Sequence, residues 1–156
     1  MRRSAVPALA GKDMSNNQMG RFVVFIGTWN TTGAVLETAL NPAGTLSATD
    51  MYGWLPGKHF IQHHVDARFD GKPSRSMEVI GYDAVKQQHF ARSYDDQGST
   101  DVFVVELSGR RFKITGKAVR FDGGFDASQN RLTGLWELKV SRARWQPWIQ
   151  LKLVRA

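Results

Sequence analysis

The chain has 156 residues, no cysteine and a formal net charge of +7 from 21 basic and 14 acidic residues. That length suits one domain able to bury most of its unfolded surface without cross-links, and 42% apolar content with nine Phe, five Trp and three Tyr excludes wholesale disorder. The lack of cysteine excludes a disulfide scaffold, a thiolate metal centre, an iron–sulfur cluster and a thiol nucleophile.

At the N-terminus, Met1-Arg2-Arg3 followed by Ala8-Leu9-Ala10 has the outline of an export signal. Its apolar stretch contains Pro7 and falls short of the ~7–15 residues such a signal needs. The expectation is therefore a frayed leader over 1–14, a start near Met14, a domain over 15–156 and a cytoplasmic location. No apolar run approaches the ~20 residues of a membrane-spanning helix. The basic residues are scattered, and their densest clusters, Arg110-Arg111-Lys113 and Arg142-Arg144, read as solvated turns rather than a nucleic-acid footprint.

One stretch, 15–26, reads as a helix. Ser15 with Gln18 three residues later has the form of a capping box, and Met19, Phe22, Val23 and Ile26 follow at the spacing of one apolar face. Gly27 ends it. Beyond it come strands at about 29–39, 45–54, 58–69, 74–82, 88–95, 99–107, 110–116, 118–125, 131–140 and 145–154. Turn signals such as Asp70-Gly71, Asp95-Asp96-Gln97-Gly98, Ser108-Gly109 and Gly116-Lys117 separate them. Short loops between strands imply antiparallel neighbours, and a meander of this length hides its edges most simply by closing. The expected fold is all-β, an antiparallel up-and-down barrel of eight to ten strands with a short N-terminal plug helix. The Gly123-Gly124 pair reads as a bulge or bend.

Counting across the hairpins assigns faces. Across Ser108-Gly109, Phe103, Val105 and Leu107 share an apolar face with Phe112 and Ile114, while Val104, Glu106, Arg111 and Lys113 take the other. Counting back through a turn at 95–98, with Arg92 opposite Asp101, turns Phe90, Arg92 and Tyr94 inward. The same parity then carries Met77, Val79 and Gly81 inward, followed by Phe60, Gln62, His64, Asp66 and Arg68. A dry core would not accept those polar groups, whereas a wet or ligand-filled lumen would. A slip of one residue in a loop gives the alternative set: His59, Ile61, His63, Val65, Glu78, Ile80 and Tyr82.

Gly27-Thr28-Trp29 at the opening strand resembles the Gly-x-Trp signature of lipocalins and the wider calycin superfamily. Together with Ile80-Gly81-Tyr82-Asp83, Asp96-Gln97-Gly98, Trp145-Gln146-Pro147-Trp148 and Arg155, it is similar to a domain-of-unknown-function family of bacterial lipocalin-like domains, over about residues 18–155. The resemblance implies a barrel closed at one end by the N-terminal segment, with a cavity for a small apolar molecule. It also implies a structural role for Gly27 and Trp29, the tryptophan packing across the barrel floor against a late arginine, for which Arg155 is the candidate. Haem-binding relatives use a histidine on a late strand, and here no His follows His89.

No nucleophile elbow, phosphate loop, zinc-protease motif or dinucleotide fingerprint occurs. His59 and His63 on one strand would stand about 13 Å apart, too far to share a metal ion. The reading is therefore a binder of a small hydrophobic or amphipathic ligand, an anionic head included, as monomer or homodimer, with no cofactor and no metal. Phe60, Met77, Phe90, Phe103, Phe112 and Trp136 would bury the ligand's body, and Gln62, His64, Arg92 and Tyr94 would orient its head. The alternative is a barrel cyclase, isomerase or lyase using acid–base chemistry at His64 or Asp66.

Overall fold

A computed structural model describes residues 18–156. A 3-10 helix, Gly20–Phe25, leads into ten strands. They are β1 (Gly27–Val35), β2 (Gly44–Trp54), β3 (Ile61–Phe69), β4 (Lys72–Asp83) and β5 (Gln88–Asp95). The second half comprises β6 (Thr100–Ser108), β7 (Arg111–Thr115), β8 (Val119–Phe125), β9 (Arg131–Ser141) and β10 (Arg144–Arg155). Each strand pairs antiparallel with its sequence neighbours, and β1 pairs with β10, so the sheet is a closed ten-stranded barrel. Closure removes both exposed edges, as the run of short-looped strands requires.

The turns follow their residues. Asp70 (φ 48°) and Gly71 (φ 81°) form the two-residue loop of the β3–β4 hairpin, the conformation that Asp-Gly adopts with little strain. Between β5 and β6 the loop is longer than the expected 95–98. The Asp95 carboxylate accepts the N–H groups of Gln97 and Ser99, and the Asp95 N–H donates to Ser99 O. Ser93 therefore stands opposite Asp101, and Ala91 opposite Phe103. That one extra residue reverses the counted faces of three strands. Phe60, Gln62, His64, Asp66, Arg68, Val79, Gly81, Phe90 and Arg92 are turned away from the lumen, and the inward positions belong to Ile61, His63, Val65, Ala67, Glu78, Ile80, His89 and Ala91. On β6–β8 the counted parity holds, and Phe103, Val105, Leu107, Phe112, Ile114 and Phe121 are buried.

Gly123 and Gly134 stand opposite one another in a regular ladder, which corrects the expected bulge at Gly123-Gly124. A Cβ on either glycine would collide with the Phe121 ring, so the pair makes room for that side chain. Register shifts fall instead in the β9–β10 ladder, between Arg144 and Trp145 and between Pro147 and Ile149, and at the second Trp148 and Ile149 both reach the lumen.

One end of the barrel is closed by the segment before β1. The expected capping box begins at Ser15, outside the described residues. The expected α-helical stripe becomes a threefold one, because the turn is 3-10: Met19, Phe22 and Phe25 recur every three residues and are fully buried, while Val23 is 62% exposed. Phe25 packs edge-on against Phe112 and Phe125, and Phe22 lies against His89. The Arg155 guanidinium sits 4.2 Å from the Trp29 ring and donates to Ile26 O (2.9 Å) and Val24 O (2.6 Å), while the Trp29 indole N–H donates to Phe25 O. Gly27 (φ 125°) takes a backbone conformation closed to other residues and passes 3.3 Å beneath that guanidinium, measured from its ideal Cβ position. Among the described residues no helix is long and apolar enough to cross a membrane.

Replacing Arg155 with Ala removes a cation–π contact and two charge-assisted bonds to carbonyls, and should destabilise the barrel by about 2–4 kcal/mol in urea unfolding. Arg155→Lys should restore less than half, because an ammonium cannot cover the indole and fork to two carbonyls together. Wild-type stability in the Ala variant would refute the clamp.

Candidate functional site

The lumen beneath the plug holds a cavity of about 430 Å³. Its wall is mainly apolar, with Leu46, Val65, Phe103, Phe112, Trp136 and Leu151 among the residues facing it. Into that wall β1–β4 project a compact polar cluster of Thr31, Asp50, Tyr52, His63 and Glu78.

The register explains how the cluster assembles. Tyr52 and Glu78 are the direct cross-strand neighbours of His63 on either side, and Asp50 is its diagonal neighbour on β2. His63 Nε2–H donates to Asp50 Oδ1 at 2.6 Å, and Nδ1–H donates to Glu78 Oε1 at 2.8 Å. Thr31 Oγ1–H donates to the other oxygen of Asp50. Tyr52 stacks on the imidazole with centroids 3.8 Å apart and planes 9° from parallel. The imidazole is thus fixed in position, tilt and rotation by neighbours on two strands.

Charge follows from this geometry. Burial opposes a charge on His63, but the hydrogen bonds and charges of Asp50 and Glu78 outweigh it and raise the pKa from 6.5 to about 9. The ring is an imidazolium at neutral pH, and both its nitrogens are donors with no lone pair left for a metal ion. Burial, reinforced by the same two carboxylates, pushes the Tyr52 phenol well above its usual value, so it stays neutral. One imidazolium between two carboxylates leaves the cluster itself with a single net negative charge, and Asp95 adds a further carboxylate to the cavity's lining. Among the described residues Glu78 Oε2 has no protein partner, and this side chain is 16% exposed.

Of the residues expected to bind ligand, Phe103, Phe112 and Trp136 line the cavity; Met77 and the 46%-exposed Tyr94 border it although they share the outward parity of Val79 and Arg92. Phe60, Gln62, His64, Phe90 and Arg92 do not line it, because the longer β5–β6 turn moves them to the outer face. Asp66 is exposed there and pairs with Arg75 at 3.4 Å. The acid–base pair expected at His64 or Asp66 is therefore replaced by the neighbours of opposite parity, His63 and Glu78. Asp50 and Thr31 went unassigned because no hairpin count crossed the loop between β2 and β3. A signal was present: Leu46, Ala48 and Tyr52 alternate as an apolar face, and Asp50 interrupts it. Trp148 joins Trp136 at the cavity, whereas Trp145 lies under Arg120 and Lys139, at 4.4 and 5.7 Å.

The raised pKa predicts a sign for the pH dependence of stability. Below the unfolded value of 6.5 the cluster's contribution is complete, and it is lost as pH rises through about 9. The shift corresponds to about 3 kcal/mol. Urea midpoints should fall between pH 6.5 and 9.5 in the wild type, and His63→Gln should flatten that slope. An unchanged slope in the variant would assign the effect elsewhere.

No family model matches the chain, and no curated protein sequence matches it. Solved structures do. Rv2717c from M. tuberculosis superposes with a TM-score of 0.64 at 14% identity, covering 88% of this chain and 96% of that one. The S-type phycobiliprotein lyase CPES from Guillardia theta superposes with a TM-score of 0.51 at 8% identity, covering 93% and 97%. At these identities the likeness is one of fold, a closed antiparallel β-barrel.

Proposed function

We propose that the barrel binds a small, mainly apolar molecule and receives its hydrogen-bond-donating end at the Asp50–His63–Glu78 cluster. One observation carries this reading. A cavity of about 430 Å³, within the ~300–1,000 Å³ range of small-molecule sites, has a mainly apolar wall and, in this cluster, a carboxylate oxygen with no protein partner among the described residues. Among the described residues no Lys or Arg lines this cavity, so its lining favours a hydroxyl or ammonium over an anionic head. The anion-orienting role first given to Arg92 does not apply inside the lumen.

A second reading, acid–base catalysis on a bound apolar substrate, is favoured by the same cluster. The Glu78 carboxylate would accept a proton through Oε2 while His63 fixes its orientation through Oε1. The phycobiliprotein lyase shares the architecture, which is compatible with a lyase-type barrel and specifies no reaction.

Native mass spectrometry after gentle purification should reveal a co-purified small molecule. Titration with decylamine, decanol and decanoate, read by tryptophan fluorescence, should show the amine and alcohol binding at least about tenfold tighter than the acid. Glu78→Gln should remove the amine's advantage. Tightest binding by decanoate, unaffected by that substitution, would overturn the donor-end assignment, and no binding of any of the three would overturn the cavity's role. For the second reading, Glu78→Gln should abolish turnover of the co-purified molecule and leave its affinity within a few-fold.

A further inference from the structure

The outer wall carries a separate hollow of about 270 Å³ across β5, β6 and the end of β7. Its floor is apolar: Phe90, Val102 and Val104, with Val102 57% exposed. Its cations are Lys86, Arg92 and Lys117, all three exposed. An outward aromatic ring on a barrel strand calls for an explanation, and Gly81 gives the local one. A Cβ there would stand 2.7 Å from Phe60 and 2.8 Å from Phe90, so the glycine seats both rings against the wall. Phe90 is thereby held flat enough for the Arg92 guanidinium to lie 5.4 Å from its centroid.

Arg75, Arg111 and Arg120 are neutralised by Asp66, Asp122 and Glu137. Among the described residues, Lys86, Arg92 and Lys117 make no ion pair. The one carboxylate lining the hollow, Asp83, accepts the backbone N–H groups of Val85 and Lys86 and so serves its own turn. Three positive charges against one carboxylate, around an apolar floor with a stacked ring, match a ligand that has a flat apolar body and a negative charge.

The hollow also has a reason to exist as a recess. The β6–β7 ladder runs only from Val104 to Ser108 on β6, so Thr100 to Phe103 extend past the end of β7. The wall is notched there, at Gly116 and Lys117. Gly116 N–H donates to Val119 O to close the β7–β8 turn, and a Cβ on Gly116 would stand 2.6 Å from the Phe103 ring. Phe103 consequently fills the notch from within and forms a wall of both the lumen and the outer hollow.

We infer that this hollow is a second binding site, distinct from the lumen, for a small aromatic anion: a ring stacked on Phe90 over Val102 and Val104, with its carboxylate or phosphate held by Arg92 and Lys117. The inference does not depend on what occupies the lumen. Volume bounds the occupant to one or two fused rings with a single anionic group, and the excess of positive charge favours an anion over the cationic molecules suited to the inner cavity.

The test uses 2-naphthyl phosphate and 2-naphthoate as probes, with 2-naphthol as the uncharged control, followed by calorimetry and backbone amide NMR. Expected is a Kd below about 1 mM for at least one anion, weakening as salt is raised. Amide shifts should gather at Arg92, Val102, Val104 and Thr115 to Lys117. The double variant Arg92→Gln/Lys117→Gln, on exposed positions, should lose at least about tenfold in anion affinity and keep the naphthol response. Anion binding unchanged in that variant, shifts confined to the lumen around Trp136 and Trp148, or no binding of either anion would overturn the proposal. Tighter binding of a short oligothymidylate, with shifts spread beyond the hollow, would assign the surface to single-stranded nucleic acid and overturn it as well.

Discussion

Everything described above presupposes that β1 finds β10. Without that pairing the strands would form an open sheet with two unpaired edges and no interior. The clamp of Arg155 on Trp29 acts at this junction, at the first residue pair of the β1–β10 ladder. The same guanidinium binds the carbonyls of Val24 and Ile26, so one side chain ties the last strand to the first strand and to the plug. A cation so placed satisfies carbonyls at the end of the 3-10 turn that would otherwise be buried without donors. Closure and plugging are therefore one event, and the cavity is its product.

Inside that cavity the polar cluster shows how an apolar lumen tolerates charge. An isolated imidazolium or carboxylate would cost several kcal/mol to bury, and the usual response is to neutralise. Here His63 has a carboxylate on each nitrogen, and Thr31 satisfies the far oxygen of Asp50. His89, at the other polar contact of the interior, goes the opposite way. Burial is the main cause of its lowered pKa, and Nε2 meets only the carbonyl of Gln18. One histidine is built to be charged and the other neutral, and the difference lies in whether carboxylates or a carbonyl and aromatic rings surround it. The two residues pull stability in opposite directions, His89 being weakened by acid and His63 by base.

Much of the architecture was legible because it rests on local chemistry. Asp70-Gly71 and Ser108-Gly109 announce turns through the positive φ of Asp70, Gly71 and Gly109, which few other residues adopt, and the alternation Phe103, Val105, Leu107 announces a buried face. The candidate site was less legible because parity is inherited from strand to strand. The Asp95 side chain caps a loop one residue longer than its Asp-Asp-Gln-Gly core suggests, and the error passes through β5, β4 and β3. His64 and Arg92 were chosen in place of His63 and Ala91 for that reason alone. The plug differed for a related cause: the threefold period of a 3-10 turn chose Phe25 over Val23 and Ile26.

The sequence by itself determined an antiparallel all-β meander, most of its turns and the buried face of β6–β8, since each depends on neighbours a few residues away, and the resemblance carried by Gly27-Thr28-Trp29 pointed to the Trp29 and Arg155 pair. Only the tertiary structure decided that Thr31, Asp50, His63 and Glu78 meet, and that Phe90, Arg92 and Lys117 share an outer hollow. Both gatherings depend on the register of successive ladders. In a period-two structure a displacement of one residue exchanges the inside of a barrel for its outside.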